Sequence, residues 1–298
     1  MTMTHNPVHP GTRFSRDLRA MFAAVARRYD LLNHLLSANL DRRWRQRTAL
    51  AAMHSLDRRV RDTSTITVVD VCTGTGDMAV EVLRRAPRAR VVACDYCRPM
   101  LERARDKLAR AGLARRTALV EADVLALPLP DASADAATCA FGLRNLNEPR
   151  RCLAEMVRIL RPGGRVAILE FHRPRDQGAL AGLFGLYFRH VLPRLGGWVS
   201  RGRHGAYAYL VASIRDFGPP KGVADAMREA GLDQVRLEPQ AGGIASVYVG
   251  QKPCETVRRD AGAAGVASHR AAGSASIAAR RVGKPAAHNV ERRAAIRR

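Results

Sequence analysis

The chain carries hydrophobic patterns of two different periods. From Phe14 to Asp30, Leu18, Met21, Phe22, Val25 and Tyr29 recur at spacings of three and four, which places them on one face of an amphipathic helix. A second helical stretch follows over Trp44 to Met53. From Ile66 onward the texture changes to short apolar runs: Ile66–Val71, Val91–Cys94, Ala118–Val120, Ala136–Ala140 and Val166–Phe171. Runs of that length and composition are those of strands buried in a parallel sheet. Helices with legible ends separate them, from Asp77 to Arg85 before Pro87, from Pro99 to Ala111 before Gly112, and from Pro149 to Leu160 before Pro162-Gly163-Gly164. This alternation predicts an α/β fold with a doubly wound, mostly parallel sheet. Beyond a long insertion, Gly178 to Phe217, a helix over Val223 to Ala230 precedes two strand-like runs that meet near Gly242-Gly243. The sheet is therefore expected to close with a C-terminal antiparallel hairpin.

Composition refines the picture. The 298 residues, 47% of them hydrophobic, can bury a large core. No uncharged apolar run reaches the roughly 18 residues of a membrane span. Met1 to Arg13 is polar and holds two prolines, unlike a secretory leader, so a cytoplasmic location is expected. Residues 1–13 read as a flexible N-terminus and 14–252 as the folded domain, with N-terminal helices over 14–62 and an inserted lid over 178–217. Residues 253–298, rich in Ala, Gly, Ser and Arg, read as a basic disordered tail. The net charge of +23 would suit nucleic acid or an anionic surface. Only four of the fifty basic residues are lysines (Lys107, Lys221, Lys252 and Lys284), however, and about a third of the surplus lies in the tail. That is an arginine skew rather than an aromatic-interleaved patch, and no nucleic-acid partner is expected. Six scattered cysteines read as reduced thiols, and Cys94 and Cys97 lack the second pair or nearby histidine that zinc would need, so no metal is expected. The arginines from Arg42 to Arg47 read as a solvated helix face.

In an open parallel sheet, ligands sit at the carboxyl ends of the strands where strand order reverses, so the residues after each strand belong together. After the first strand comes Asp70-Val71-Cys72-Thr73-Gly74-Thr75-Gly76-Asp77, whose Gly74 and Gly76 permit a tight turn and a close backbone approach to a ligand. After the second comes Asp95, positioned to accept both hydroxyls of a ribose. After the third come Asp123 and Val124, able to bracket a purine; the fourth delivers Phe141-Gly142-Leu143-Arg144-Asn145. The third glycine of the dinucleotide fingerprint is replaced by Ala79, which disfavours a nicotinamide oxidoreductase, and the G-K-[ST] of a triphosphate loop is missing. Asp70 and Asp77 would repel phosphate and suit a cationic sulfonium. S-adenosylmethionine is such a ligand.

Several segments resemble the ubiquinone and menaquinone biosynthesis C-methyltransferase family over about residues 14 to 252. They are Met21 to Asp30, Thr73-Gly74-Thr75-Gly76-Asp77, Phe141-Gly142-Leu143-Arg144-Asn145, Arg161-Pro162-Gly163-Gly164-Arg165, Val191-Leu192-Pro193, Ala206-Tyr207-Ala208-Tyr209-Leu210 and Gly242-Gly243-Ile244. The resemblance implies a Rossmann-like class I methyltransferase fold and methyl transfer to a ring carbon of a polyprenylated quinol, demethylmenaquinol first and the ubiquinone-pathway benzoquinol second. It also implies that Thr75, Asp95, Asp123, Val124 and position 140 line the cofactor site. Position 140 is Ala where relatives often carry Ser.

Carbon methylation needs an ionised phenol beside the reacting carbon. Arg144, permanently cationic, is expected to stabilise that oxyanion and Asn145 to orient a hydroxyl or water. Tyr29, Tyr207 and Tyr209 are candidate ring contacts or proton relays. Because such a substrate lives in the bilayer, a peripheral position on the inner membrane face is expected, while self-association stays open. The rival reading, an RNA methyltransferase, lacks the N-P-P-[YF] motif of base-amine methylation.

Overall fold

The computed structural model describes residues 13–26, 30, 34, 37, 39–54, 56, 65–172 and 205–254. Two helices come first, α1 (Arg13–Val25) and α2 (Leu40–Met53). Alternation then sets in with β1 (Ile66–Val71), α3 (Asp77–Arg85), β2 (Ala89–Asp95), α4 (Arg98–Arg110), β3 (Thr117–Glu121), β4 (Ala134–Ala140), α5 (Pro149–Ile159) and β5 (Leu160–Phe171). Helices α6 (Gly205–Asp216) and α7 (Pro220–Glu229) and strands β6 (Asp233–Gln240) and β7 (Ala245–Gln251) complete the described chain.

The seven strands form one sheet in the order β3-β2-β1-β4-β5-β7-β6. Strands β1 to β5 pair in parallel, whereas β7 runs antiparallel to both β5 and β6, as the hairpin reading anticipated. Strands β1, β4, β5 and β7 are mostly buried on both faces, while the edge strands β3 and β6 are more exposed, and successive side chains alternate between the two faces. From β1, Ile66 and Val68 enter a cluster with Met78, Val82, Leu83 and Leu108, and Val69 and Val71 enter the opposite one with Leu153, Met156 and Met227.

Three sequence expectations are corrected. Within the stretch Phe14 to Asp30, helix α1 ends at Val25 and Ala26 forms a turn, while residues 27–29 lie outside the described residues. Pro162-Gly163-Gly164 does not separate α5 from the fifth strand, because β5 begins at Leu160 and carries that tripeptide as a bulge between the pairs Ala134–Leu160 and Ala136–Arg165. Arg45 is buried rather than solvated, held between Asp41 and Asp77, since the helix face it occupies packs on the sheet. The tail 255–298 and most of the insertion, 173–204, lie outside the described residues.

Candidate active site

Strand order reverses between β1 and β4, and the chain departs from both strands with the same strain. Cys72 (φ 54°) and Phe141 (φ 60°), each just past its strand, sit in the left-handed region that non-glycine residues rarely adopt. The two departing loops touch. A Cβ on Gly142 would lie 2.4 Å from the Cβ of Cys72, so no side chain fits at 142. Gly76, at φ 85°, makes the turn into α3.

A cavity of about 170 Å³ opens beside this junction. Gly74, Asp95, Tyr96, Asp123 and Val124 form one wall, Phe141, Gly142 and Asn145 another, and Leu18 and Phe22 of α1 cover it. Asp95 is fixed by backbone donors, with Gly74 N–H giving to one oxygen at 2.8 Å and Cys97 N–H to the other at 2.9 Å. Burial raises its pKa in spite of those bonds. Each oxygen keeps acceptor capacity for a further donor. Asp123 accepts from Leu125 N–H at 2.9 Å. Tyr96 lies with the Arg19 guanidinium 5.5 Å from its ring centre, and burial pushes its phenol up to about 12. A carboxylate for a diol, a second acceptor and apolar walls fit the adenosine part of S-adenosylmethionine.

The other residues chosen from sequence do not line this cavity. Asp70 is fully buried behind the loop, where it accepts from Thr73 Oγ1 at 2.5 Å and from Thr138 Oγ1 at 2.7 Å, tying β1 to β4. Burial raises its pKa to about 6. Asp77 pairs with Lys107 at 2.5 Å and lies 3.8 Å from Arg45; burial opposes its charge, and these two cations outweigh it and lower its pKa. The expectation that this acidic pair is free for a sulfonium is thus corrected, because both carboxylates are engaged within the protein. Thr75 gives its hydroxyl proton to Asp30 at 2.5 Å and accepts from Lys107 at 3.0 Å. Ala140 is half-buried among apolar neighbours.

The expected catalytic group needs the largest correction. The Arg144 guanidinium is buried, lies 2.7 Å from Glu170 and donates to the Phe141 carbonyl at 2.5 Å. Glu170 also accepts from the Arg144 backbone N–H at 3.1 Å, so the pair braces the turn 141–145 against β5. Asn145 does reach the cavity. Its Nδ2 donates to Phe141 O at 3.2 Å, and its Oδ1 accepts from the hydroxyl of Tyr209 on α6, also at 3.2 Å. Tyr29 and the side chain of Tyr207 lie outside the described residues.

Beneath this wall His172 and Tyr248 share a hydrogen bond at 2.5 Å, and burial lowers the His172 pKa to about 4. Cys94 and Cys97 are buried and free. Sequence reasoning missed Tyr96, Lys107, Asp30 and Glu170. A signal existed for two of them: Glu170 is the one acid in an otherwise apolar strand run, and Lys107 is a rare lysine among arginines.

The ubiE/COQ5 methyltransferase family model matches residues 12–252. A demethylmenaquinone methyltransferase of Deinococcus radiodurans is 46% identical over 79% of this chain and 92% of its own length. The demethylmenaquinone methyltransferase of Thermus thermophilus is 44% identical over 78% of this chain and its whole length. Among solved structures, an O-methyltransferase family protein from Burkholderia thailandensis superposes with a TM-score of 0.50 at 19% identity, covering 85% of this chain and 66% of its own, a likeness of fold.

Proposed function

The chain belongs to the ubiE/COQ5 methyltransferase family, and on that premise we propose that it methylates a ring carbon of a polyprenylated quinol, converting demethylmenaquinol to menaquinol. S-adenosylmethionine is the methyl donor, and when bound it supplies an electrophilic methyl group. The observation that carries the reading is the cavity at the β1–β4 junction, where Asp95 and Asp123 present acceptors between apolar walls. Gly74, Asp95, Tyr96, Asp123 and Val124 would hold the nucleoside.

The chain's own task in the reaction is to hold an electron-rich ring, exclude water and favour the ionised hydroxyl. We assign the ring hydroxyl to Asn145, whose amide is oriented by Phe141 O and Tyr209. One amide N–H remains for an oxyanion, a contact that strengthens as charge develops. Arg144 acts through this turn as a positioning residue, its charge compensated by Glu170. Asp70 and Thr75 serve likewise, fixing the glycine loop from behind and from the side. Leu18 and Phe22 of α1 shield the cavity from water. Because the substrate is a lipid and the chain carries +23, we place the protein at the membrane surface. Among the described residues no helix is long and apolar enough to cross a membrane.

The benzoquinol of the ubiquinone pathway is the second reading, favoured by a 39% identical relative from Geobacter sulfurreducens named for both pathways. The test is transfer of labelled methyl from S-adenosylmethionine to short-chain demethylnaphthoquinol and benzoquinol, each supplied reduced and oxidised. Label on a ring carbon of the reduced naphthoquinol, and none with oxidised quinone, is the expected outcome. Label on oxygen or on RNA would refute the proposal, and faster transfer to the benzoquinol would select the second reading.

A further inference from the structure

One polar cluster beside the cavity reaches well beyond the Thr75 contact used above. The Lys107 ammonium, on α4, meets three oxygens from three other parts of the chain: Asp77 Oδ1 at 2.5 Å, Asp30 Oδ2 at 2.7 Å and Thr75 Oγ1 at 3.0 Å. Asp30 closes the circuit through the Thr75 hydroxyl at 2.5 Å. The alternation of charge continues from Asp77 to Arg45, then to Asp41, which His34 and Ser37 contact at 3.0 and 2.7 Å. Asp30 and the start of α2 are thereby stitched to the glycine loop and to the start of α3.

The identity of the cation is informative. In a chain where four of fifty basic residues are lysines, arginine is the default cation. Lys107 is one exception, and Lys252 is another; its ammonium donates to the carbonyls of Leu160 at 2.7 Å, Val157 at 2.8 Å and Arg158 at 3.5 Å. Both sites ask one nitrogen to serve three acceptors. An ammonium carries three N–H donors on that one nitrogen, whereas each terminal nitrogen of a guanidinium carries two.

The segment that Lys107 holds is continuous with the cover of the cavity. Leu18 and Phe22 of α1 line the cavity, and a polar tie of α1 itself, Arg19 to Glu121 at 2.7 Å, has an arginine 45% exposed and shares its acid with Arg98. We propose that Lys107 is a positioning residue that latches the N-terminal segment to the glycine loop through Asp30 and Thr75, and so governs how fast the nucleoside cofactor enters and leaves. The proposal rests on the reading of the cavity as the S-adenosylmethionine site. It makes Lys107 and Asp30 a coupled pair that acts on cofactor exchange, with methyl transfer untouched by either.

The experiment uses full-length protein with Lys107→Met, Lys107→Arg, Asp30→Asn and the Asp30→Asn/Lys107→Met double variant. Dissociation of S-adenosylhomocysteine is followed by stopped flow, and KM for S-adenosylmethionine is compared with kcat. Each single variant, Lys107→Arg included, is expected to release the ligand about tenfold faster and to raise KM by a similar factor, with kcat moving much less. The double variant should release it less fast than the product of the two single effects predicts, because the two residues share one ion pair. Unchanged release in the Lys107 variants, full rescue by arginine, additive effects, or a fall in kcat at constant KM would each overturn the proposal. If wild-type protein binds neither nucleoside in a calorimetric titration, the reading of the cavity falls and the latch with it. If it binds both and the variants match it, the latch alone falls.

Discussion

On the glycine-loop side of the cavity, Lys107, Asp77 and Asp30 keep 22%, 23% and 37% of their side chains exposed; on the opposite side, Arg144 and Glu170 keep 2% and 0%. Both sides use ion pairs, yet the pairs do different work. The first group joins segments far apart in sequence through contacts that water and salt can reach, so it can part and re-form. The second is sealed against β5 beneath Phe171, its two side chains almost wholly removed from solvent, so it holds a turn in one shape. On the proposed reading, a nucleoside that must exchange on every turnover is met by the side that can open. On the same reading, the ring that must be aligned is met by the side that cannot.

Breaking the sealed pair should cost most. Arg144→Gln leaves Glu170 buried without its counterion and is expected to lower unfolding free energy by about 3–5 kcal/mol, measured by denaturant titration. Lys107→Met, by the same measurement, should change stability far less. An Arg144→Gln protein as stable as wild type that loses kcat about 10²-fold would show instead that the Arg144 charge faces the ring.

The next largest effect separates two buried groups by pH. His172 is depressed to about 4 from 6.5, so between those values the unfolded chain binds more protons and stability rises with pH. Asp70 is raised to about 6 from 3.8, so in that window the native state binds more protons and stability falls with rising pH. Each accounts for roughly 3 kcal/mol across its window, and in the wild type they largely cancel between pH 4 and 6. Asp70→Asn should therefore give a protein that stabilises steeply as pH rises from 4 to 6, and His172→Phe one that loses stability over the same range. Parallel pH profiles of the two variants would contradict both assignments.

On the cofactor side, Asp95→Ala should weaken S-adenosylmethionine about 10- to 100-fold in calorimetry, with the native fold retained. The loss combines the ligand's own contact and the Gly74 anchor. The smallest expected effect is that of Tyr209→Phe, which removes one hydrogen bond to Asn145 and should raise the quinol KM about threefold in steady-state assays, leaving the cofactor KM unchanged. A larger effect on cofactor than on quinol would move Tyr209 to the other side of the comparison.

The same division explains what the sequence disclosed. The strands were legible because their apolar runs are short and bounded, and Gly74, Asp95, Asp123 and Val124 because the end of a strand tells where its next residues go. The Pro-Gly-Gly bulge was not, since a turn signal within a strand resembles one between elements. Arg144 was misplaced for a physical reason: a run such as Phe-Gly-Leu-Arg-Asn shows a cation at a strand end, and only the paired strand shows that Glu170 meets it first. Lys107 and Asp30 lie 77 residues apart in the chain, and no local pattern links them.

Native-state hydrogen exchange with and without S-adenosylhomocysteine tests the comparison most directly, because it reads opening residue by residue. Amides of 141–145 and of β5 should be protected to the level of global unfolding whether or not ligand is present. Amides of 73–77 and of α1 should exchange by local opening in the free protein and gain protection when the nucleoside binds. Uniform protection of both sides in the free protein, or ligand-induced protection confined to 141–145, would contradict the account.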